Sequence, residues 1–154
     1  MWGTFVDSKG HLWLGEFSPH MGIMEVDRAT NFKKRYLEDP TLTIIRSWRF
    51  GEDAKGNILA VANSPNGLTL YKKKSGANNF IKQGLVKELT SISDNRSLGI
   101  MFLNYKNELV YTAEKPVVVS NANGDTSYKP LVLPANLKGG IFIAKRKSAN
   151  ELYV

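Results

Sequence analysis

With 154 residues and 42% hydrophobic content, the chain is long enough to enclose one ordinary core and too apolar for a disordered segment. Its net charge of +7 invites a nucleic-acid or anionic-glycan partner, while no apolar run approaches the roughly 20 residues of a membrane-spanning helix. The absence of cysteine excludes disulfides and thiolate-bound zinc and leaves the compartment open.

In chain order, strands are expected at residues 3–6 and 11–17, joined by Asp7-Ser8-Lys9-Gly10. Asp7 can accept hydrogen bonds from the turn amides, and Gly10 can adopt the positive φ that closes the turn. Leu12 and Leu14 then share one face of the second strand, with Trp13 on the other. A turn at 18–21 leads to a third strand at 22–27 and a more polar fourth at 32–36. The same region, residues 32–39, is the nearest approach to an amphipathic helix, which Pro40 would end.

A second unit repeats this order. Residues 43–50 are rich in β-branched and aromatic side chains. Asp53-Ala54-Lys55-Gly56 repeats the turn, 58–62 reads as a buried strand, and 68–71 alternates before a turn into Phe80-Ile81. In a third unit both 89–93 and 98–103 read as strands, which implies an insertion. Strands at 108–112 and 116–119 follow, then a turn at 121–125 and an outer candidate at 128–133, where Pro130 and Pro134 suit an edge and a terminus. A fourth unit has strands at 140–144 and 151–154.

The weight of the first turn lies in its recurrence. Gly10, Gly56, Asn107 and Asn150 stand at intervals of about 46, 51 and 43 residues, close to the roughly 40–50 residues of a propeller blade. The expected fold is all-β: a partial β-propeller of about three four-stranded antiparallel blades plus a half blade. The blades cover about 2–40, 41–87 and 88–134, with the partial one at 139–154, in a single propeller-like domain or fragment.

The spacing Asp7-x-x-Gly10-x-Leu12-Trp13-Leu14-Gly15, followed by Gly22-Ile23 and Asp27, resembles the two-component regulator propeller repeat. A second copy runs through Asp53, Gly56, Asn57 and Ile58, then Asn66-Gly67-Leu68, Leu70-Tyr71, Gly76 and Phe80. The later copies keep an Asn-Glu-Leu core without the Asp and Trp. The resemblance implies the periplasmic part of a Bacteroidetes hybrid sensor kinase that recognises oligosaccharides. It implies a non-catalytic, carbohydrate-sensing segment of a two-component receptor, with the kinase elsewhere in a full chain and membrane attachment only through other parts. The chain itself has no basic start and apolar stretch of a signal peptide. Three and a half units do not close a ring of four to eight blades, so further blades or self-association are expected partners. A fragment of a propeller-fold polysaccharide lyase or sialidase-like hydrolase, or a protein-binding scaffold, is the alternative.

Candidate ligand contacts are His20 in the 18–21 turn, and Arg46, Trp48 and Arg49. An indole offers a stacking platform for a sugar ring, and the guanidinium forks suit hydroxyls or uronate carboxylates. The competing role for Trp48, as for Trp13, is to fill a blade interface. Asp7, Gly10, Asp53 and Gly56 are assigned to turn formation. The basic runs Lys33-Lys34-Arg35, Lys72-Lys73-Lys74 and Lys145-Arg146-Lys147 sit at different offsets from the turns. They are read as solvated turns and protected edges, not as a nucleic-acid stripe. The charge leans toward an acidic oligosaccharide. His11 and His20 have no supporting cluster for a metal, and Glu16, Glu25, Glu52 and Asp53 show no pairing that marks glycoside hydrolysis. No catalytic residue, metal or cofactor is expected.

Overall fold

The computed structural model describes residues 3–16, 22–36, 47–64, 67–85, 100–104, 106–112, 116–131, 145–148 and 151–153. These form three four-stranded antiparallel sheets and a hairpin. The first sheet is β1 (Thr4–Val6), β2 (His11–Gly15), β3 (Ile23–Asp27) and β4 (Phe32–Tyr36) in that spatial order. The second is β5 (Ser47–Glu52), β6 (Ile58–Ser64), β7 (Gly67–Lys73) and β8 (Ile81–Leu85), and the third is β9 (Ile100–Leu103), β10 (Leu109–Thr112), β11 (Val117–Ser120) and β12 (Thr126–Pro130). A hairpin pairs β13 (Lys145–Ser148) with β14 (Glu151–Tyr153). No helix occurs among the described residues, and none there is long and apolar enough to cross a membrane.

The sheets stack face to face, like blades, because the middle one is apolar on both sides. Along β6, Ile58, Ala60 and Ala62 face the first sheet while Leu59 and Val61 face the third. A strand buried on both faces loses its polar alternation, so it reads as an unbroken apolar run. The first core joins Trp13, Ile23 and Tyr36 to Trp48, Phe50, Ile58 and Tyr71. The second joins Leu59, Val61, Leu68 and Leu70 to Leu109, Tyr111, Val117 and Val119. Register places Ala60 between Phe50 and Tyr71, and Ala62 beside Trp48, so the small side chains leave room for the rings. The leading strand β5 lies against β1 and β2 on one side and β9 on the other.

Residues 32–36 form the fourth strand, β4, as expected, and the helix alternative fails there because Lys33 to Arg35 pair with Val26 to Met24 across the sheet. The outer strand of the second sheet runs on to Leu85, and Pro130 ends β12 at a sheet edge. The last basic run lies in strand β13. The expected strands at 89–93 and 140–144 lie outside the described residues, as do His20 and Arg46.

A candidate ligand groove between the first two sheets

One turn chemistry occurs four times among the described residues, and two of its copies, at Asp7 and Asp53, contribute residues to the lining of the site. Asp7, Asp53, Asn104 and Asn121 each use Oδ1 to accept two backbone amides, from the residues two and four positions on, at 2.9–3.0 Å. The residue three positions on takes positive φ: Gly10 at 84°, Gly56 at 73°, Asn107 at 59° and Gly124 at 79°. Glycine and asparagine enter this region at low cost, and the Asx oxygen replaces the amide partners lost at the turn. Asn104 does the work of the aspartate that the third copy lacks.

The second carboxylate oxygen is where the turns diverge. Asp7 Oδ2 accepts the Trp13 indole N–H at 2.9 Å, which locks the ring into the first core. Asp53 Oδ2 accepts the Ser120 hydroxyl and the Asn57 side-chain amide, each at 2.8 Å, and lies 4.0 Å from Lys72 Nζ. Ser120 belongs to β11, so Asp53 pins the second sheet to the third. Lys72 also donates to the carbonyl of Gly124. Burial holds Lys72 below the ordinary lysine range, against the pull of Asp53 and Asp125.

On the side of these turns, the first two sheets part to leave a groove of about 330 Å³. Its floor is aromatic. Trp13 and Tyr36 are buried, their ring centroids 5.7 Å apart, and Phe80 meets both edge-on. Its rim carries Phe32, which is 54% exposed. The polar wall is a relay: His11 Nδ1 lies 2.8 Å from Glu25 Oε1, and the Tyr36 hydroxyl donates to Glu25 Oε2. Burial, then the bond to Glu25, push the Tyr36 hydroxyl well above the usual tyrosine range. Lys34 stands 4.8 Å over the Tyr36 ring and donates to the carbonyl of Asn78 at 3.0 Å. Lys73 stands 5.7 Å over Trp13 and 5.9 Å over Tyr36. Ser8 and Glu52 close one end, with the Ser8 amide and hydroxyl both donating to the Glu52 carboxylate at 2.7 Å.

The two described ligand candidates from sequence, Trp48 and Arg49, fall elsewhere. Trp48 is 2% exposed, its indole N–H donating to the Glu16 carbonyl at 2.9 Å. Its ring and backbone occupy the space that a Cβ on Gly15 or Gly3 would need. It fills the interface between the first two sheets and has no face left for a sugar. Arg49 turns a guanidinium N–H back to the Trp48 carbonyl at 2.6 Å. Neither lines the groove. Sequence reasoning treated Lys34 and Lys73 as parts of solvated runs and gave Phe32 and Tyr36 no role. The available signal was strand parity: Phe32, Lys34 and Tyr36 alternate onto one face, and register carries the row from Lys34 through Glu25 to Trp13. Among the described residues no group of three or more His, Asp or Glu is arranged to hold a metal. Comparison with family models, curated proteins and solved structures finds no match.

Proposed function

We propose that this chain is a non-catalytic, carbohydrate-sensing segment of a propeller-type two-component receptor, working in the periplasm, and that the groove between its first two sheets holds the oligosaccharide. The observation that carries this reading is an exposed aromatic rim, Phe32, beside an aromatic floor and a wall of hydrogen-bonding groups. A pyranose needs that combination, since its C–H face stacks on a ring while its hydroxyls need donors and acceptors in the plane.

The state of the carboxylates supports binding over hydrolysis. Asp7, Glu25 and Glu52 each have both oxygens engaged by protein donors. A glycosidase needs one carboxyl free to give a proton and a second free to attack or to activate water. The test is a titration of the chain with a panel of oligosaccharides, read by calorimetry and by the fluorescence of Trp13 under the groove. Phe32→Ala is expected to weaken a bound sugar about 3–10-fold, the scale of one lost stacking contact. A folded Phe32→Ala protein with unchanged affinity would place the sugar elsewhere.

A further inference from the structure

We infer that the groove contains an anion subsite formed by Lys73 and Lys34, so that the sugar it takes carries a carboxylate or a sulfate. The sugar part of this statement rests on the carbohydrate reading above; the anion part rests on donor accounting. The charged residues lining the groove balance, three lysines against three carboxylates, so a simple charge sum decides nothing. What differs is commitment. Every oxygen of Asp7, Glu25 and Glu52 already faces a protein donor. Lys34 uses one of its three N–H groups on Asn78. Lys73 meets only the ring faces of Trp13 and Tyr36 among the described residues. The carboxylates of the groove are therefore each committed to protein donors, while Lys34 and Lys73 keep N–H groups to spare.

Position makes these donors a site. Lys34 and Lys73 come from different sheets and stand over the same Tyr36 ring. The aromatic floor excludes water beneath them and holds the ammonium groups without neutralising them. A planar carboxylate or a tetrahedral sulfate can take N–H groups from both. The ring that bears it then lies toward Phe32, which shares a strand face with Lys34 at the spacing of two residues. Neutral sugars satisfy spare donors less well than an ionised oxygen does.

The experiment uses the whole chain and three matched oligosaccharides of equal length: neutral, uronate-bearing and sulfated, with inorganic sulfate as a fourth probe. One of the two acidic sugars is expected to bind at least roughly tenfold tighter than the neutral one, the scale of charge-assisted hydrogen bonds, with the advantage shrinking in high salt. The carboxylate and sulfate arms decide which group the site takes. Lys73→Met and Lys34→Met should each reduce the advantage several-fold. Lys33→Met, on the opposite face of the same strand, should leave it intact. Equal affinity for neutral and acidic sugars overturns the subsite and leaves the carbohydrate reading standing, as does an equal loss in Lys33→Met and Lys73→Met. Sulfate binding that depends on Lys73, with no sugar bound, supports the subsite and overturns the carbohydrate reading. No binding of any probe overturns both.

Discussion

Asp53→Ala tests whether the second and third sheets are held together by one buried carboxylate. Asp53 is 3% exposed and accepts two turn amides, the Asn57 amide and the Ser120 hydroxyl, with Lys72 Nζ at 4.0 Å. Removing one partner of a buried ion pair costs about 3–5 kcal/mol. The 4.0 Å separation and the remaining bond from Lys72 to Gly124 argue for the low end. Four orphaned donors add roughly 0.5–1.5 kcal/mol each, less than additively because the turn can relax and admit water. The expected loss is about 4–6 kcal/mol, against a total of roughly 5–15 kcal/mol for a domain. In a thermal melt that is a fall of roughly 10–20 °C.

The asymmetry is the sharper part of this prediction. Lys72→Met leaves Asp53 with four donors and removes a lysine that burial disfavours, so its cost should stay under about 1 kcal/mol. The double variant Asp53→Ala/Lys72→Met should be more stable than Asp53→Ala alone, because no buried cation is then left unpaired. Urea titrations of the three proteins give the comparison directly. If Lys72→Met costs as much as Asp53→Ala, the carboxylate is not the hub and the reasoning fails.

Gly10→Val and Gly56→Val should each cost about 1–3 kcal/mol, since both positions hold positive φ. No neighbour lies within 4 Å of a Cβ at Gly10, so its loss is purely one of backbone strain, and a melt within a degree of the parent would contradict it. Gly15→Ala should cost about 1–3 kcal/mol by overpacking, because its methyl would occupy the place of the Trp48 ring; the near-ultraviolet signal of Trp48 should change with it. Tyr36 should make the fold alkali-sensitive. Its hydroxyl titrates near 10.0 when unfolded and higher when folded, so above that pH the unfolded state holds fewer protons and stability falls, by at most about 1.4 kcal/mol per pH unit. Tyr111, raised by burial, adds to the fall, while Lys72, lowered by burial, favours folding as pH rises toward 10.5. Tyr36→Phe should flatten the decline, and an unchanged alkaline slope would refute its part.

The architecture was legible because turn chemistry is local. An Asx oxygen, two amides and a positive φ lie within five residues, so Asp7 to His11 and Asp53 to Asn57 announce themselves, and the aligned Asn107 shares the backbone conformation of Gly10. The turn at Asn121 to Asp125 uses the same bonds but joins the last two strands of its sheet, and so fell outside the repeat alignment. The site was not legible, because it is made between sheets. Trp48 looked available between two arginines, yet two glycines from β1 and β2 flanks open a slot for it. Lys72 looked solvated within a run of lysines, yet parity turns it into the second interface while Lys73 faces the first. Neighbours in sequence therefore have opposite fates, and offsets from the turns could not show that Lys34 and Lys73 would meet over one ring.

That meeting connects binding to packing. Among the described residues, polar bridges between the first two sheets at the groove run from Ser8 to Glu52 and from Lys34 to the Asn78 carbonyl. Ser8 sits in an exposed turn and Lys34 is only half-buried, so both bridges can exchange with solvent or ligand. An anion that draws Lys34 away from Asn78 replaces a direct link between sheets with one that runs through the ligand and Lys73. The aromatic stack of Trp13, Tyr36 and Phe80 stays in place beneath and keeps the sheets in contact. Only differential contacts of this kind let a ligand shift a conformational equilibrium. Under the proposed reading the groove would supply them at the interface between two sheets, and a change in sheet-to-sheet angle would reach the third sheet through β5, which touches β1, β2 and β9.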